Sequence, residues 1–487
     1  MKTASALVVL SILGLAMPAV AYPAFARKYG VNCTACHEAW PKVNDQGALF
    51  RDNGFQWGTG RDSPVELSPA YWPISVRGGL GYQFTSLGNQ YQGVPTTQSG
   101  RLGFTGLEIM MVGTLARDIS FVIKLQPLLT NAGMTPQYPN PLAAITNPGE
   151  VGLMEYFWIR FDNLLGQSWL NLKAGLSELD LPFDQDETLT PLTPYLIYQY
   201  HPGGGANFMP FDLGASQFEV AIEGHSRDDS TRYSVGLLQT QDDPGSALFV
   251  ASPGVYGHVQ HTFPLWPRRI PELTVGLMGM AGSYPTMAQY TGGPIGTPSS
   301  GPLVVSSGSA SAPIRTCPDP DDCGSADVGL QGSAGGPSII PNTAYALREF
   351  YKEGVDLSLY LGNLALPLNI EATYIVGQED PAFITGATRE AIYHGGFVEA
   401  DWTPLLQLTT GARWDFVRNL QQGDPVAEPS YLDTDQATWF LRYTFEFLPR
   451  TAVTLHAELS YRRVLGGGYG GSEFDGYLAF GGVDLAF

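Results

Sequence analysis

Apolar and polar side chains alternate over segments of roughly ten residues from about residue 74 to the end of the chain. An alternation with a period of two is typical of β-strands that have one polar and one apolar face. Within 436–447, for example, Trp439 and Leu441 fall on one face, whereas Thr438 and Arg442 fall on the other. The pattern predicts sixteen strands, which begin near residues 74, 101, 118, 152, 168, 216, 231, 255, 272, 345, 368, 391, 406, 436, 452 and 475.

The connections between these segments alternate between short turns and long loops. The strand count is even if 345–361 forms one long strand, as an antiparallel barrel of this kind requires. Outer-membrane barrels have short periplasmic turns and long external loops. We therefore predict an all-β transmembrane antiparallel barrel of about 16 strands over 74–487, in the bacterial outer membrane and in contact with its lipid. The predicted external loops are 86–100, 128–150, 178–214, 242–254, 284–344, 378–389, 418–435 and 464–474.

The two faces of the predicted strands differ in chemistry. The apolar face carries Trp, Tyr and Phe near strand ends, where interface girdles lie. The opposite face is charged and cannot form a dry core, so it predicts a wet or plugged lumen. A soluble periplasmic β-sandwich is the alternative. The charged face comprises Arg77, Glu108, Lys124, Arg160, Asp162, Lys173, Glu219, Glu223, Glu371, Glu399, Asp401, Arg413, Asp415, Arg442, Glu446, Glu458 and Arg462.

The composition and the first residues of the chain indicate the cellular compartment of the protein. Residues 1–21 resemble a secretory signal peptide, with Lys2 before an apolar core and a small-x-small cleavage site at 19–21; cleavage after residue 26 is the alternative. The net charge of −20 argues against a nucleic-acid partner. Charged residues make up only 15% of the chain, which suits a barrel with an apolar outside better than a soluble enzyme.

The motif with the clearest chemistry is Cys33-Thr34-Ala35-Cys36-His37. Two cysteines at this spacing can bond covalently to the two vinyl groups of a haem, and the adjacent histidine can ligate its iron. A redox dithiol and half of a zinc site are the alternatives, but the first lacks a βαβ context and the second lacks further ligands nearby. We expect one covalent haem c, with His37 as the proximal iron ligand.

The haem segment, 22–60, is too short to close a core by itself and is rich in aromatic residues. We expect it to contain helix and loop and to use its own barrel as walls, plugging the lumen or its periplasmic mouth after a Pro-containing linker at 61–73. Its distal iron ligand is open, because Lys42 and Asn44 are poor candidates and an open or water-ligated iron is also possible. Inward-facing candidates on the barrel are Met280, Met278, His258 and His456, together with Met110 and His225.

Two further features belong to the predicted loops. Cys317 and Cys323 lie in the Gly/Ser/Pro-rich loop 284–344 and are expected to form a disulfide in an oxidising compartment. The loops also carry acidic residues that fit a mouth attracting cations, although barrel loops are often acidic without such a role. These residues are Asp180, Asp184, Asp186, Glu187, Asp242, Asp243, Glu379, Asp380, Asp424, Glu428, Asp433 and Asp435.

The signal peptide, the sequence Ala26-Arg-Lys-Tyr-Gly-Val-Asn-Cys-Thr-Ala-Cys-His37, the sequence Phe50-Arg-Asp-Asn-Gly-Phe55 and the long barrel together resemble the fused monohaem cytochrome–porins of the outer membrane. These are best known as iron oxidases. The resemblance implies oxidation of extracellular Fe(II) at the cell surface, with the electron passing through one haem to a periplasmic c-type cytochrome. The resemblance implies that Cys33, Cys36 and His37 bind the haem. It identifies no residue that binds the Fe(II) substrate.

Two other functions fit the same sequence. The electron could flow outward to an extracellular acceptor, because residues alone do not set the direction and the haem potential does. The barrel could instead be a diffusion porin in which the haem segment is only a plug. No Ser-His-Asp, P-loop or Rossmann pattern competes with these interpretations.

Overall fold

The structure is a computed structural model of the chain. It describes residues 24–29, 31, 35–39, 41–57, 74–89, 97–126, 154–184, 188–190, 192–200, 213–214, 216–240, 252–264, 272–287, 345–361, 367–380, 390–421, 433–448, 451–465 and 474–486. The predicted signal peptide, the linker 61–73, Cys33 and the pair Cys317 and Cys323 lie outside the described residues.

The N-terminal segment contains two helices and a small hairpin. Helix α1 (Ala24–Tyr29) precedes the antiparallel strands β1 (His37–Ala39) and β2 (Lys42–Val43), and helix α2 (Asp45–Asp52) follows them. Among the described residues, no helix is long and apolar enough to cross a membrane.

Sixteen further strands form one closed barrel. Each strand is antiparallel to its neighbours, and β18 closes the barrel by pairing with β3. The predicted strand count, the single long strand near 345 and the fold class are confirmed. The strands are β3 (Ile74–Asn89), β4 (Thr97–Ala116), β5 (Ile119–Leu125), β6 (Met154–Phe161), β7 (Asn171–Ser177), β8 (Gln217–His225), β9 (Thr231–Gln239), β10 (Pro253–Pro264), β11 (Glu272–Met287), β12 (Tyr345–Tyr360), β13 (Leu368–Glu379), β14 (Ala391–Leu405), β15 (Leu408–Gln421), β16 (Asp433–Leu448), β17 (Thr451–Leu465) and β18 (Phe474–Ala486).

The two faces of the barrel wall have the predicted polarity. Trp414 and Trp439 point outward and are 47% and 41% exposed, whereas Arg442 and Glu458 point inward and are 0% exposed. A closed antiparallel barrel with an apolar outside and a polar inside is the architecture that spans the bacterial outer membrane. The protein is therefore an outer-membrane barrel in contact with lipid. We call the end with the short turns the periplasmic end.

The lumen is filled by a segment that follows β7. We call the described residues between 178 and 200 the lumen loop; its Leu189, Ile197 and Tyr198 are at most 1% exposed. The loop crosses to β15–β17, and β15 lies eight strands from β7 in either direction around the barrel. Arg442 Nε donates to the carbonyl of Leu189 at 2.9 Å. The sequence predicted 178–214 as an external loop, and the structure instead places the lumen loop inside the barrel.

Aromatic side chains make the lumen loop a packed layer. Tyr195 stacks on Phe397 of β14 with ring centroids 4.0 Å apart, and Tyr200 contacts Tyr393 at 4.9 Å. These rings belong to one apolar cluster that also includes Met278 and other side chains of β10–β15. Aromatic side chains bury large areas when packed in this way. The inward charges are therefore buried under protein and do not line an open channel at this level.

Candidate functional site

The turn that carries Cys36 and His37 is fixed by the start of helix α2. The backbone N–H of Asn44 donates to the Cys36 carbonyl at 2.9 Å, and the Asn44 side chain caps the helix by accepting from Gly47 N–H at 3.0 Å. Asparagine is a favoured N-cap residue because its side-chain oxygen satisfies an otherwise unpaired N–H. The start of helix α2 is thus held directly against the turn that carries Cys36 and His37.

Gly47 allows this close approach. A Cβ at Gly47 would collide with the Cys36 carbonyl oxygen. In an ordinary helix, replacing glycine by alanine gains roughly 0.5–1 kcal/mol. Here we expect Gly47→Ala to have the opposite sign and to expose the 24–57 segment to protease in the folded barrel.

The matched control for Gly47→Ala is Gly106→Ala in β4, where a Cβ meets no atom within 4 Å. We expect Gly106→Ala to leave the protease resistance of the N-terminal segment unchanged. Equal digestion rates for Gly47→Ala and the unsubstituted protein would contradict the close-approach argument.

Helix α2 ends in a Schellman motif. Gly54 has a positive φ of 73°, and its N–H donates to the Arg51 carbonyl at 3.0 Å. The N–H of Phe55 donates to the Phe50 carbonyl at 2.9 Å, and their rings lie 6.1 Å apart. This pair of bonds and the hydrophobic contact define the motif. The sequence Arg-Asp-Asn-Gly-Phe therefore turns the chain and presents Phe55 to the barrel wall.

Aromatic packing joins the N-terminal segment to the barrel. Phe25 contacts Phe50 at 4.7 Å, and Phe55 stacks on Trp158 of β6 at 6.1 Å. Val112 and Val122 of the adjacent wall complete the same buried cluster. This short segment shares a buried apolar cluster with barrel residues and does not close a core by itself.

Ion pairs fix the segment at the periplasmic end. Lys42 Nζ lies 2.5 Å from Asp401 and 2.7 Å from Glu371, and both carboxylates are on the inner wall. Burial lowers the pKa of Lys42, but the charges of Asp401 and Glu371 raise it by more, so its pKa lies well above the ordinary value. At a second place on the wall, Asp52 pairs with Arg232 of β9 at 3.0 Å. The segment is thus attached to the wall at β9 and at β13–β14, which lie four and five strands away from β9.

Cys36 and His37 have environments that suit haem attachment. His37 Nδ1 lies 2.9 Å from the Pro41 carbonyl, the type of contact that orients a metal-binding imidazole so that Nε2 can ligate the metal. Burial lowers the pKa of His37 to about 4, which favours the neutral, ligating form. Cys36 is half-buried and, within the described part of the chain, forms no disulfide. Burial raises the pKa of the Cys36 thiol, the reverse of what a redox dithiol needs.

A cavity of about 320 Å³ lies between His37 and the barrel wall. One part of its lining is apolar and includes Met110, Val122 and Trp158, which suits a macrocycle. Another part carries Arg and Lys side chains together with carboxylates, as in the Arg77–Glu108 pair at 3.3 Å, so the carboxylates of a haem would share these cations with the wall. The donor set and the cavity therefore fit a haem c.

The predicted distal ligands on the barrel fall into two groups: those that lie outside the cavity beside His37 and those that line it. Met278 and Met280 are buried in the apolar layer of the lumen loop. Of the same predicted set, none of Met278, Met280, His258 and His456 lines the cavity beside His37, whereas Met110 and His225 do.

The two histidines of the first group have partners of their own. His258 Nε2 lies 3.2 Å from Asp356, and His258 Nδ1 lies 3.6 Å from Asp180. His456 Nδ1 lies 2.8 Å from Asp484. These contacts tie His258 to the wall and the lumen loop, and His456 to the wall.

Several predicted acidic loop residues are engaged within the protein. Asp180 faces His258 in the lumen, Glu379 pairs with Lys352 at 3.3 Å, and Asp435 pairs with Arg418 at 2.6 Å. Each of these three carboxylates therefore has a partner side chain within the protein. Asp186, Glu187, Asp242, Asp243, Asp424 and Glu428 lie outside the described residues.

Comparison with known proteins gives distant structural similarity. No protein-family model matches the chain, and no curated protein matches it. Among solved structures, the anion-selective porin from Comamonas acidovorans has 10% identity and a TM-score of 0.48, covering 85% of this chain and 99% of that one. The outer membrane channel DcaP of Acinetobacter baumannii has 8% identity and a TM-score of 0.46, covering 85% and 97%. Pseudomonas putida OprB has 11% identity and a TM-score of 0.45, covering 85% and 94%. The assignment of the barrel rests on its own strands and faces.

Proposed function

We propose that the protein is an outer-membrane electron conduit that binds one haem c through Cys33, Cys36 and His37. In this role it is an oxidoreductase that oxidises extracellular Fe(II) and passes the electron to a periplasmic c-type cytochrome. The observation that carries the proposal is the position of the Cys36–His37 turn, which lies within the barrel at the end with the short turns and lines a cavity there. The haem supplies a one-electron carrier at this position.

The chain's own residues have three tasks in this proposal. His37 is oriented by the Pro41 carbonyl, so that the imidazole is held in one direction. Lys42 holds the segment at the wall through Asp401 and Glu371. The lumen loop fills the barrel farther along, and a filled lumen keeps ions and poorly soluble Fe(III) from crossing while an electron is transferred.

The test is an anaerobic titration of the purified, oxidised protein in detergent with Fe(II), followed through the haem α-band. We expect stoichiometric reduction at the pH of growth. Reduction by dithionite but not by Fe(II) would contradict the iron-oxidase function and favour outward electron transfer to an extracellular acceptor. Absence of a haem band would contradict both directions of electron transfer.

A diffusion porin with a haem plug is the second candidate. It is favoured by the charged inner wall of the sixteen-strand barrel, which is typical of channels for polar solutes. It is opposed by the packing of the lumen loop and the N-terminal segment inside the barrel. Planar-bilayer recordings separate the two, because a porin gives steady conductance and the proposed conduit gives little.

A further inference from the structure

We propose that the thioether sulfur of Met110 is the distal axial ligand of the haem iron, on the side opposite His37. This inference rests on the proposed attachment of haem c to Cys33 and Cys36. It selects one side chain of the barrel wall as a direct partner of the cofactor, so that the complete haem site is shared between the N-terminal segment and the barrel.

The first support is location. Met110 lies on β4, opposite Ser75 of β3 and Lys124 of β5 in the barrel register. It lines the cavity that His37 lines, and it packs against the aromatic cluster that contains Phe50. The wall therefore presents a thioether to the cavity that the imidazole also lines.

The second support is chemistry. A thioether is neutral at every pH and needs no hydrogen-bond partner, so it can line an apolar part of a cavity without a penalty. Methionine opposite histidine is a known ligand pair of c-type haems and raises the reduction potential relative to two histidines. A raised potential is what uptake of electrons from Fe(II) requires.

The third support is accessibility. Met110 is only partly buried, whereas Met278 and Met280 are 5% and 2% exposed within the packed layer of the lumen loop. A side chain that closes onto iron must be open to the cavity in the absence of the haem. Among the three inward methionines considered for the distal position, Met110 alone combines this exposure with a place in the His37 cavity.

His225 is the competing ligand at the same cavity. Its Nδ1 lies 3.0 Å from the Ser226 carbonyl and 3.4 Å from Asp229, and its Nε2 is buried without a hydrogen-bond partner. Because that nitrogen is closed off from the cavity by surrounding atoms, His225 would have to leave its present contacts to reach iron. The thioether of Met110 has no hydrogen bonds or ion pairs of this kind to give up, and this favours Met110.

The experiment compares Met110→Leu with Met280→Leu, a matched change of an inward methionine outside the cavity. Absorption, magnetic circular dichroism and redox titration are measured on the full-length oxidised protein. We expect the unsubstituted protein and Met280→Leu to show the weak long-wavelength sulfur-to-iron charge-transfer band. Met110→Leu should lose it, bind carbon monoxide more readily when reduced and have a lower reduction potential.

A second variant guards against loss of folding. Met110→His should keep a six-coordinate haem and change its spectrum to that of two histidine ligands. Persistence of the band in Met110→Leu would overturn the proposal, as would a two-histidine spectrum of the unsubstituted protein that His225→Gln abolishes. A protein without covalent haem would contradict the proposed function itself, whereas all other outcomes bear on Met110 alone.

Discussion

Replacing Arg413 with methionine is expected to release the lumen loop from the barrel wall. The filled lumen should then open and conduct ions. Arg413 is 2% exposed as a residue, and its guanidinium donates to Thr190 Oγ1 at 2.7 Å, to the Thr193 carbonyl and to the Pro194 carbonyl at 3.2 Å. It also lies 4.6 Å from the centre of the Tyr195 ring. One side chain therefore contacts four residues of the lumen loop within 190–195.

The expected effect is large because the substitution also leaves carboxylates without their cation. Arg413 Nε is 2.7 Å from Asp415, and Nη1 is 3.4 Å from Glu399. Removing one partner of a buried ion pair typically costs about 3–5 kcal/mol. We expect a marked rise in single-channel conductance in planar bilayers and faster protease cleavage within 178–200.

The control is Arg418→Met on the same strand. Arg418 pairs with Asp435 at 2.6 Å and donates to backbone carbonyls of β15 and β16, so its loss should leave the conductance low. Adding Asp415→Asn and Glu399→Gln to Arg413→Met removes the stranded charges without restoring the loop contacts. If that triple variant closes again, charge and not anchoring controls the loop. Unchanged conductance in Arg413→Met would contradict the anchoring function.

The barrel could be predicted from the sequence because its signal is local. Every strand has lipid on one side and the lumen, with its mainly polar side chains, on the other, so an alternation is present within each segment. That β12 is one strand and not two is also visible, because the pattern continues without a break from Tyr345 to the end of the strand. The inward parity of Arg442 and Glu458 follows from the same rule, and both are buried as expected.

The lumen loop could not be predicted in the same way, because its contacts are distant in sequence. Thr190 and Arg413, which bond directly, are 223 residues apart. The alternation of short turns with long connections led to the prediction that 178–214 is an external loop. A signal was nevertheless present: the stretch 189–200 is rich in Leu, Ile and Tyr, a composition that favours burial over exposure.

The ionic contacts that attach the N-terminal segment to the wall were not predicted, for a related reason. Lys42 was considered only as a poor iron ligand, whereas the structure makes it the cation of a buried cluster with Glu371, Glu399 and Asp401. The inward position of these three carboxylates was predictable from the alternation. Of the three, Glu399 is the one that pairs with Arg413. The remaining negative charge was therefore a signal that another segment must bring a cation to this wall.

Replacing Lys42 with methionine is therefore expected to detach the N-terminal segment from β13 and β14. The change removes the cation 2.5 Å from Asp401 and 2.7 Å from Glu371, at a typical cost of about 3–5 kcal/mol for a buried pair. A tenfold change in an equilibrium corresponds to about 1.4 kcal/mol, so the ratio of attached to detached segment should fall by about a hundredfold or more. Protease digestion of 24–57 in the folded barrel measures this change.

Lys28→Met is the matched control, because it removes one lysine charge from the same segment at a half-buried position beside Tyr29. Digestion at the unsubstituted rate is expected for Lys28→Met. Combining Lys42→Met with Glu371→Gln and Asp401→Asn should recover much of the attachment, because no unpaired charge then remains at the wall. Failure to recover would mean that Lys42 acts through its chain packing and not through its charge. Planar-bilayer recordings of the same variants then separate the contributions of the N-terminal segment and the lumen loop to filling the lumen. If Lys42→Met releases the N-terminal segment while the conductance stays low, the lumen loop alone blocks the lumen.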